Sequence, residues 1–350
     1  MKGGYRRLRA GAALPLTKSG RLSRQIQKML RLNGWVRADD YYPAIYYKKI
    51  KAKNAFCIKL RLDGSYCSER LRNCGQVLAD MFRTVCINRI DERGYVTYCF
   101  ELKPQKQMRI SSLEDIPNTD EGEIFFSNDV TWNWKKCPHL LLTGNTGSGK
   151  TMLAQYIITC LLKQGVRVIY CDPKCDDSMR LFMRNHVSAA YKTEIDDIAD
   201  VVSELEQEMR SRQADLDNIG IAEAEFNPVY LFFDELIAFA KIAPKKTYEE
   251  TARRLASIIV MGRSKRIFAG LVLQRPDTTF IEGAVRDNLG CRIALGQMSD
   301  IGYGMVFGTN FKDVKNHRQE IGSGLIFRQS TDTTPRELIT PHIEKGALNF

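Results

Sequence analysis

The chain has 350 residues, 44% hydrophobic and 27% charged, a balance that excludes a disordered protein and leaves room for a core domain plus a smaller one. No stretch approaches the roughly 18 uninterrupted apolar residues of a membrane-spanning helix, and the short apolar patch from Ala10 to Leu16, broken by Pro15, is not a secretory signal. The net charge of +11 is uneven: residues 1–110 hold 24 Lys and Arg against 8 Asp and Glu, so the basic excess lies in the N-terminal part alone.

Residues 1–35 form a basic segment carrying Arg6, Arg7, Arg9, Lys18, Arg21, Arg24, Lys28 and Arg31, and the first acid is Asp39. Spacing of Ile26, Met29 and Leu30 predicts an amphipathic helix from Leu22 that stops near Asn33-Gly34. A solvated tail and a polyanion footprint are both consistent with that charge. Residues 36–105 read as a small α+β domain. Its strands are Ala44 to Ile50 and Ala55 to Leu62, its helix Ser68 to Arg83, and its hairpin turns about Asp91-Glu92-Arg93-Gly94. No cluster of catalytic residue types appears there, so docking or assembly is its expected task. Residues 106–134, rich in charge and holding Pro117, read as a linker.

Ten cysteines are scattered without a Cys-x-x-Cys pair, and only Cys171 and Cys175 lie close together. Mostly buried, reduced thiols are expected rather than a metal site.

From residue 135 to 345 the pattern is that of an α/β domain with a mainly parallel sheet. The apolar run Leu140-Leu141-Leu142 leads into Gly144-Asn145-Thr146-Gly147-Ser148-Gly149-Lys150-Thr151, and a helical run follows from Met152 to Lys163. Strand, glycine-rich turn and helix in that order make a phosphate-binding loop. Its glycines let backbone N–H groups surround phosphate oxygens, Lys150 reaches the β- and γ-phosphates, and the Thr151 hydroxyl ligates magnesium. Val166 to Cys171 is a further strand ending in Asp172-Pro173-Lys174, and Thr193 to Asp217 a long helix with an apolar line at Ile195, Ile198, Val202, Leu205 and Met209. The run Val229 to Phe233 ends in two carboxylates: Asp234 as magnesium ligand and Glu235 as the group that activates water. A helix from Tyr248 to Met261 precedes the strand Ile267 to Leu273, and Gln274 at its tip is placed to sense the γ-phosphate. Cys291 to Gly296 is another strand, and Gly324 to Arg328 with Glu337 to Thr340 a final hairpin.

This string of motifs resembles the FtsK/SpoIIIE-type ring ATPases of the HerA superfamily, which pump DNA. The matching pieces are Pro138-His139 with the phosphate loop, Cys171-Asp172-Pro173-Lys174, Phe232-Phe233-Asp234-Glu235, Gln274-Arg275-Pro276 and Val285-Arg286-Asp287-Asn288. Within the family, Met261-Gly262-Arg263, Gln274-Arg275-Pro276-Asp277, Asn288-Leu289-Gly290-Cys291-Arg292 and Ile301 to Gly308 look like the DNA-transfer coupling ATPases of conjugative elements of Gram-positive bacteria. The resemblance implies a RecA-like P-loop NTPase that binds ATP and Mg2+ between subunits of a hexameric ring around DNA. Lys150, Thr151, Asp234, Glu235 and Gln274 match the family's positions, and Arg263 falls where the family places an arginine finger acting on the next subunit's ATP. A relaxase or a replication initiator is the expected protein partner. The expected location is the cytoplasm, with any membrane association through partners.

The sequence carries neither the N-terminal membrane helices of envelope members nor the C-terminal DNA-reading domain of chromosome-segregating ones. Membrane gating and sequence-directed movement are therefore not expected. Two rivals remain: a non-translocating adaptor that uses ATP only to assemble on DNA, and a P-loop kinase acting on a small molecule.

Overall fold

Strands that are apolar on both faces need cover on both sides, and this requirement shapes the larger of the chain's two units. The computed structural model describes residues 6–8, 18–36, 42–50, 55–84, 86–102, 107–117, 122–127, 130–186, 189–219, 226–275, 283–311, 314–316 and 318–348. The chain divides after Gln105. Pro276, Asp277 and Arg9 of the sequence reading lie outside the described residues. No helix among the described residues is long and apolar enough to cross a membrane.

The first unit contains strand β1 (Arg6–Leu8), helix α1 (Lys18–Leu32), β2 (Ile45–Ile50), β3 (Ala55–Arg61), α2 (Cys67–Arg72), α3 (Gly75–Phe82), β4 (Cys86–Glu92) and β5 (Tyr95–Glu101). Its five-stranded antiparallel sheet has the order β1-β2-β3-β5-β4. Ile26, Met29 and Leu30 of α1 are buried in one core with Ile58, Leu60, Leu78 and Phe100, and β1 pairs with β2. The described parts of the basic segment, β1 and α1, thus belong to this unit rather than being set apart at residue 35. The helix expected over Ser68 to Arg83 is two helices. The Tyr98 hydroxyl donates to the carbonyls of Leu71 (2.8 Å) and Arg72, which a continuous helix would use itself.

Cys57 and Cys99 face each other across β3 and β5 with Cα atoms 4.1 Å apart and are joined as a disulfide, which corrects the expectation of reduced thiols for this pair. The other cysteines are free, and all but Cys175 are buried.

The second unit begins with β6 (Arg109–Ile110), then β7 (Glu123–Ser127) and β8 (Val130–Asn133), an antiparallel hairpin. Ile110, Ile116, Ile124, Phe126, Val130 and Trp132 are buried in this unit's core, so the described residues of 106–134 pack as part of the unit rather than as the expected linker. Charge and proline suggested a linker, but the alternating apolar residues between them carry the packing.

There follow β9 (Leu140–Gly144), α4 (Lys150–Lys163), β10 (Arg167–Cys171), α5 (Asp177–Arg184), β11 (Ala189–Lys192), α6 (Ile195–Ile219), β12 (Val229–Asp234), α7 (Leu236–Ile242), α8 (Lys245–Met261) and β13 (Ile267–Leu273). The chain continues with α9 (Gly283–Asn288), β14 (Cys291–Leu295), α10 (Asp300–Phe307), β15 (Ser323–Arg328), β16 (Arg336–Ile339) and β17 (His342–Ile343). The eight-stranded sheet has the order β11-β10-β12-β13-β9-β14-β15-β16, parallel from β11 to β14 and antiparallel beyond. Leu140, Leu142, Tyr230 and Phe232 face α4, α5 and the β7–β8 hairpin, while Leu141, Leu231, Phe233 and Leu271 face α6, α8 and α10. Both faces are covered, as the RecA-like α/β expectation requires. β17 pairs in parallel with β6, and Gln107 Nε2 donates to the Thr340 carbonyl, bringing residues 107–110 against 340–343.

Candidate nucleotide site

β9 is buried along its whole length and delivers the loop 145–149 at the C-terminal edge of the sheet, where ligands of open α/β sheets bind. Gly147 and Gly149 have φ of 77° and 98°, and α4 starts at Lys150 directly after the second. A Cβ on Gly144 would meet Ser148 Oγ at 2.5 Å and the Leu295 carbonyl at 2.8 Å, so this position admits only glycine. The loop is anchored from β14 and β15: Gly322 N–H donates to the Ser148 carbonyl (3.0 Å) and Asn145 Nδ2 to the Gln297 carbonyl (3.0 Å). Asn145, Thr146 and Gly147 are exposed at its tip.

Lys150 Nζ folds back on the loop, donating to the carbonyls of Gly144 (2.5 Å) and Asn145 (3.2 Å). Burial lowers its pKa, while Asp234 and Glu235 oppose that shift. The ammonium therefore sits between the loop and the acidic pair, where an anion of high charge would relieve its desolvation.

Asp234 ends β12 and Glu235 follows it. The Tyr170 hydroxyl donates to Asp234 Oδ2 at 2.8 Å. Burial is the largest influence on this carboxyl and pushes its pKa up to about 7, against the Tyr170 hydrogen bond, which lowers it. Glu235 has a left-handed backbone (φ 49°), is 6% exposed, and its N–H donates to the Val272 carbonyl at 2.8 Å. Its Oε2 accepts from Lys174 Nζ at 3.2 Å and from the Gln274 backbone N–H at 3.3 Å. The described contact of Gln274 with the acidic pair is thus through its main chain, and its side chain is exposed.

Magnesium fits these residues. Asp234 is a half-buried carboxylate, raised in pKa chiefly by desolvation, whose direct hydrogen-bond partner is a neutral phenol, an arrangement that a divalent ion stabilises. No group of three or more His, Cys, Asp or Glu side chains among the described residues forms a closed metal cage.

Arg263 lies in a 3-10 turn before β13, beside His139 before β9, and so at the opposite edge of the sheet from the phosphate loop. It does not join Lys150, Asp234 and Glu235 within one copy. Sequence reasoning gave no role to Tyr170, which looked like one more apolar strand residue, nor to Lys174 and Asp172. The Asp-Pro-Lys turn directly after a strand was the available signal.

Residues 114–237 match the FtsK/SpoIIIE family. The chain is 28% identical over 315 residues to the Ftsk domain-containing protein YdcQ of Bacillus subtilis, covering 87% of this chain and 63% of that protein. It is 29% identical over 194 residues to the DNA translocase FtsK of Caldanaerobacter subterraneus, covering 51% of this chain and 27% of the other. Thus the chain spans less than two thirds of the length of these relatives. Among solved structures, the pCW3 conjugation coupling protein TcpA, in monomer form with ATPγS, superposes with a TM-score of 0.68 at 18% identity over 92% of this chain and 95% of the other. EssC of Geobacillus thermodenitrificans superposes with a TM-score of 0.55 at 14% identity over 69% of this chain and 48% of the other.

Proposed function

We propose that this chain, which is of the FtsK/SpoIIIE type, hydrolyses ATP with magnesium and uses the energy to move DNA as a coupling or DNA-pumping ATPase of a mobile element. The observation that carries the reading is one sheet edge holding a glycine-built phosphate loop, Lys150, a half-buried Asp234 and a buried Glu235 together. The printed names of the relatives, DNA translocases and a conjugation coupling protein, support DNA as the substrate that is moved.

Loop N–H groups and Lys150 hold the β- and γ-phosphates of ATP. Asp234 and the Thr151 hydroxyl hold magnesium, which neutralises phosphate charge when bound. Glu235, fixed by its own backbone and by the Gln274 N–H, orients water and takes its proton. Arg263 acts on the nucleotide of a neighbouring copy, which requires a closed ring, in our reading a homo-hexamer around DNA. The chain works in the cytoplasm and reaches any membrane through partners, of which a relaxase or a replication initiator is one.

The test is ATP hydrolysis by wild type and Glu235→Gln with and without single- and double-stranded DNA. The expected result is wild-type turnover that DNA raises, with the variant nearly inactive. Slow turnover indifferent to DNA would return the chain to an assembly-only adaptor, and turnover on a small acceptor would make it a kinase.

A further inference from the structure

Lys174 belongs to a turn built with unusual care for a residue so far without a task. Asp172, 1% exposed, accepts from the backbone N–H of Lys174 (3.0 Å) and of Asp176 (2.8 Å) and from the Tyr191 hydroxyl (2.8 Å). Cys175 completes the turn in a left-handed conformation, φ 54°. Because β10 and β12 are adjacent parallel strands, with Cys171 beside Phe233, this turn sets Lys174 at the end of the strand that carries the acidic pair.

The Lys174 ammonium lies 3.2 Å from Glu235 Oε2. Its charge is also near enough to act on Asp234 and on Lys150. The two members of the pair differ in freedom. Glu235's side chain is 8% exposed and also accepts from the Gln274 N–H, and its backbone N–H is tied to the Val272 carbonyl, whereas Lys174's side chain is 44% exposed on a flexible stem. If a competing anion enters, the lysine is the partner that moves.

The γ-phosphate of a nucleoside triphosphate supplies a competing anion in the pocket, and a diphosphate lacks it.

We propose that Lys174 is a positioning residue that holds Glu235 in the nucleotide-free site and transfers to the terminal phosphate of a bound nucleoside triphosphate, leaving Glu235 free to act on water. Lys174 then lets the site distinguish triphosphate from diphosphate before any bond is cleaved. The proposal rests on reading the site as one that hydrolyses ATP.

Affinities for ATPγS and for ADP, each with magnesium, are measured on the full chain by calorimetry for wild type, Lys174→Met and Lys174→Arg. Loss of one charge-assisted contact to the γ-phosphate alone lowers the ATPγS to ADP affinity ratio of Lys174→Met by about tenfold, with ADP binding kept. Retained ADP binding also shows that this variant is folded, and Lys174→Arg, which keeps the charge, recovers most of the ratio. An unchanged ratio, a loss shared equally by both nucleotides, or an arginine variant no better than methionine overturns the proposal and leaves Lys174 as a prop for its turn. A wild-type chain that binds neither nucleotide instead overturns the ATP reading and takes this inference with it.

Discussion

Arg263 and Gln274 stand just before and just after strand β13, at opposite edges of the central sheet. The strand's seven residues set them about 20 Å apart. Gln274 adjoins the acidic pair of its own copy, and the role proposed for Arg263 requires a nucleotide held by another copy.

Arg263→Ala is therefore expected to lower turnover by about a thousandfold while leaving ATPγS affinity of the separate copy intact. Mixing it with Glu235→Gln supplies sites with an intact glutamate on one side and an intact arginine on the other. ATPase assays across mixing ratios should show a gain over either variant alone. No gain at any ratio removes the shared-site arrangement.

Tyr170→Phe keeps the ring, which stacks on Phe232 at 5.9 Å, and removes the hydroxyl that donates to Asp234. That hydrogen bond lowers the Asp234 pKa, so its loss raises the pKa further above about 7 and leaves more of the carboxyl protonated at neutral pH. The magnesium concentration for half-maximal turnover at pH 7 should rise about threefold to tenfold, and the difference should shrink toward pH 8.5. A magnesium requirement equal to that of wild type across this range would contradict it.

His139 is 2% exposed; its Nδ1 accepts from the Ala269 N–H at 3.0 Å, and its Nε2 is buried without a partner among the described residues. Burial first, then the nearby Arg263, push its pKa down to about 4. Between pH 6.5 and 4 the unfolded imidazole binds a proton that the folded one does not, so stability contributed by the neutral ring is present above 6.5 and is lost as pH falls. The loss is on the order of 3 kcal/mol at the acid end. His139→Asn, which tolerates the left-handed backbone at this position (φ 59°), should flatten thermal melts across that window. An acid limb as steep as wild type would assign the effect elsewhere.

Arg21, Lys28 and Arg31 are exposed on one side of α1, opposite the buried Ile26, Met29 and Leu30. Deleting this segment would remove core residues, so charge is better tested by replacing these three with glutamine. If they contact duplex phosphates, the slope of log affinity against log salt should become shallower by up to about 3. An unaltered slope makes the stripe a solvated face.

Much of the larger unit was legible in the sequence because buried parallel strands are continuous apolar runs, and each ended in the residue type its chemistry needs, as at Gly144 and Asp234. Illegible features came from pairings between distant residues. Nothing local marks Cys57 as opposite Cys99, or Lys174 as the partner of Glu235, 61 positions away. Tyr170 hid inside an apolar run, where a phenol reads as bulk until the strand beside it is known. The β7–β8 hairpin was masked by neighbouring charge and proline, although Phe126 and Trp132 are wholly buried.

The pairing of β17 with β6 has a mechanical consequence. Tension arriving through the segment before Arg109 meets a hydrogen-bonded clasp, so load is shared by His342 and Ile343 instead of peeling the β7–β8 hairpin away first. The larger unit is thus fastened at its seam, like a belt closed by its buckle.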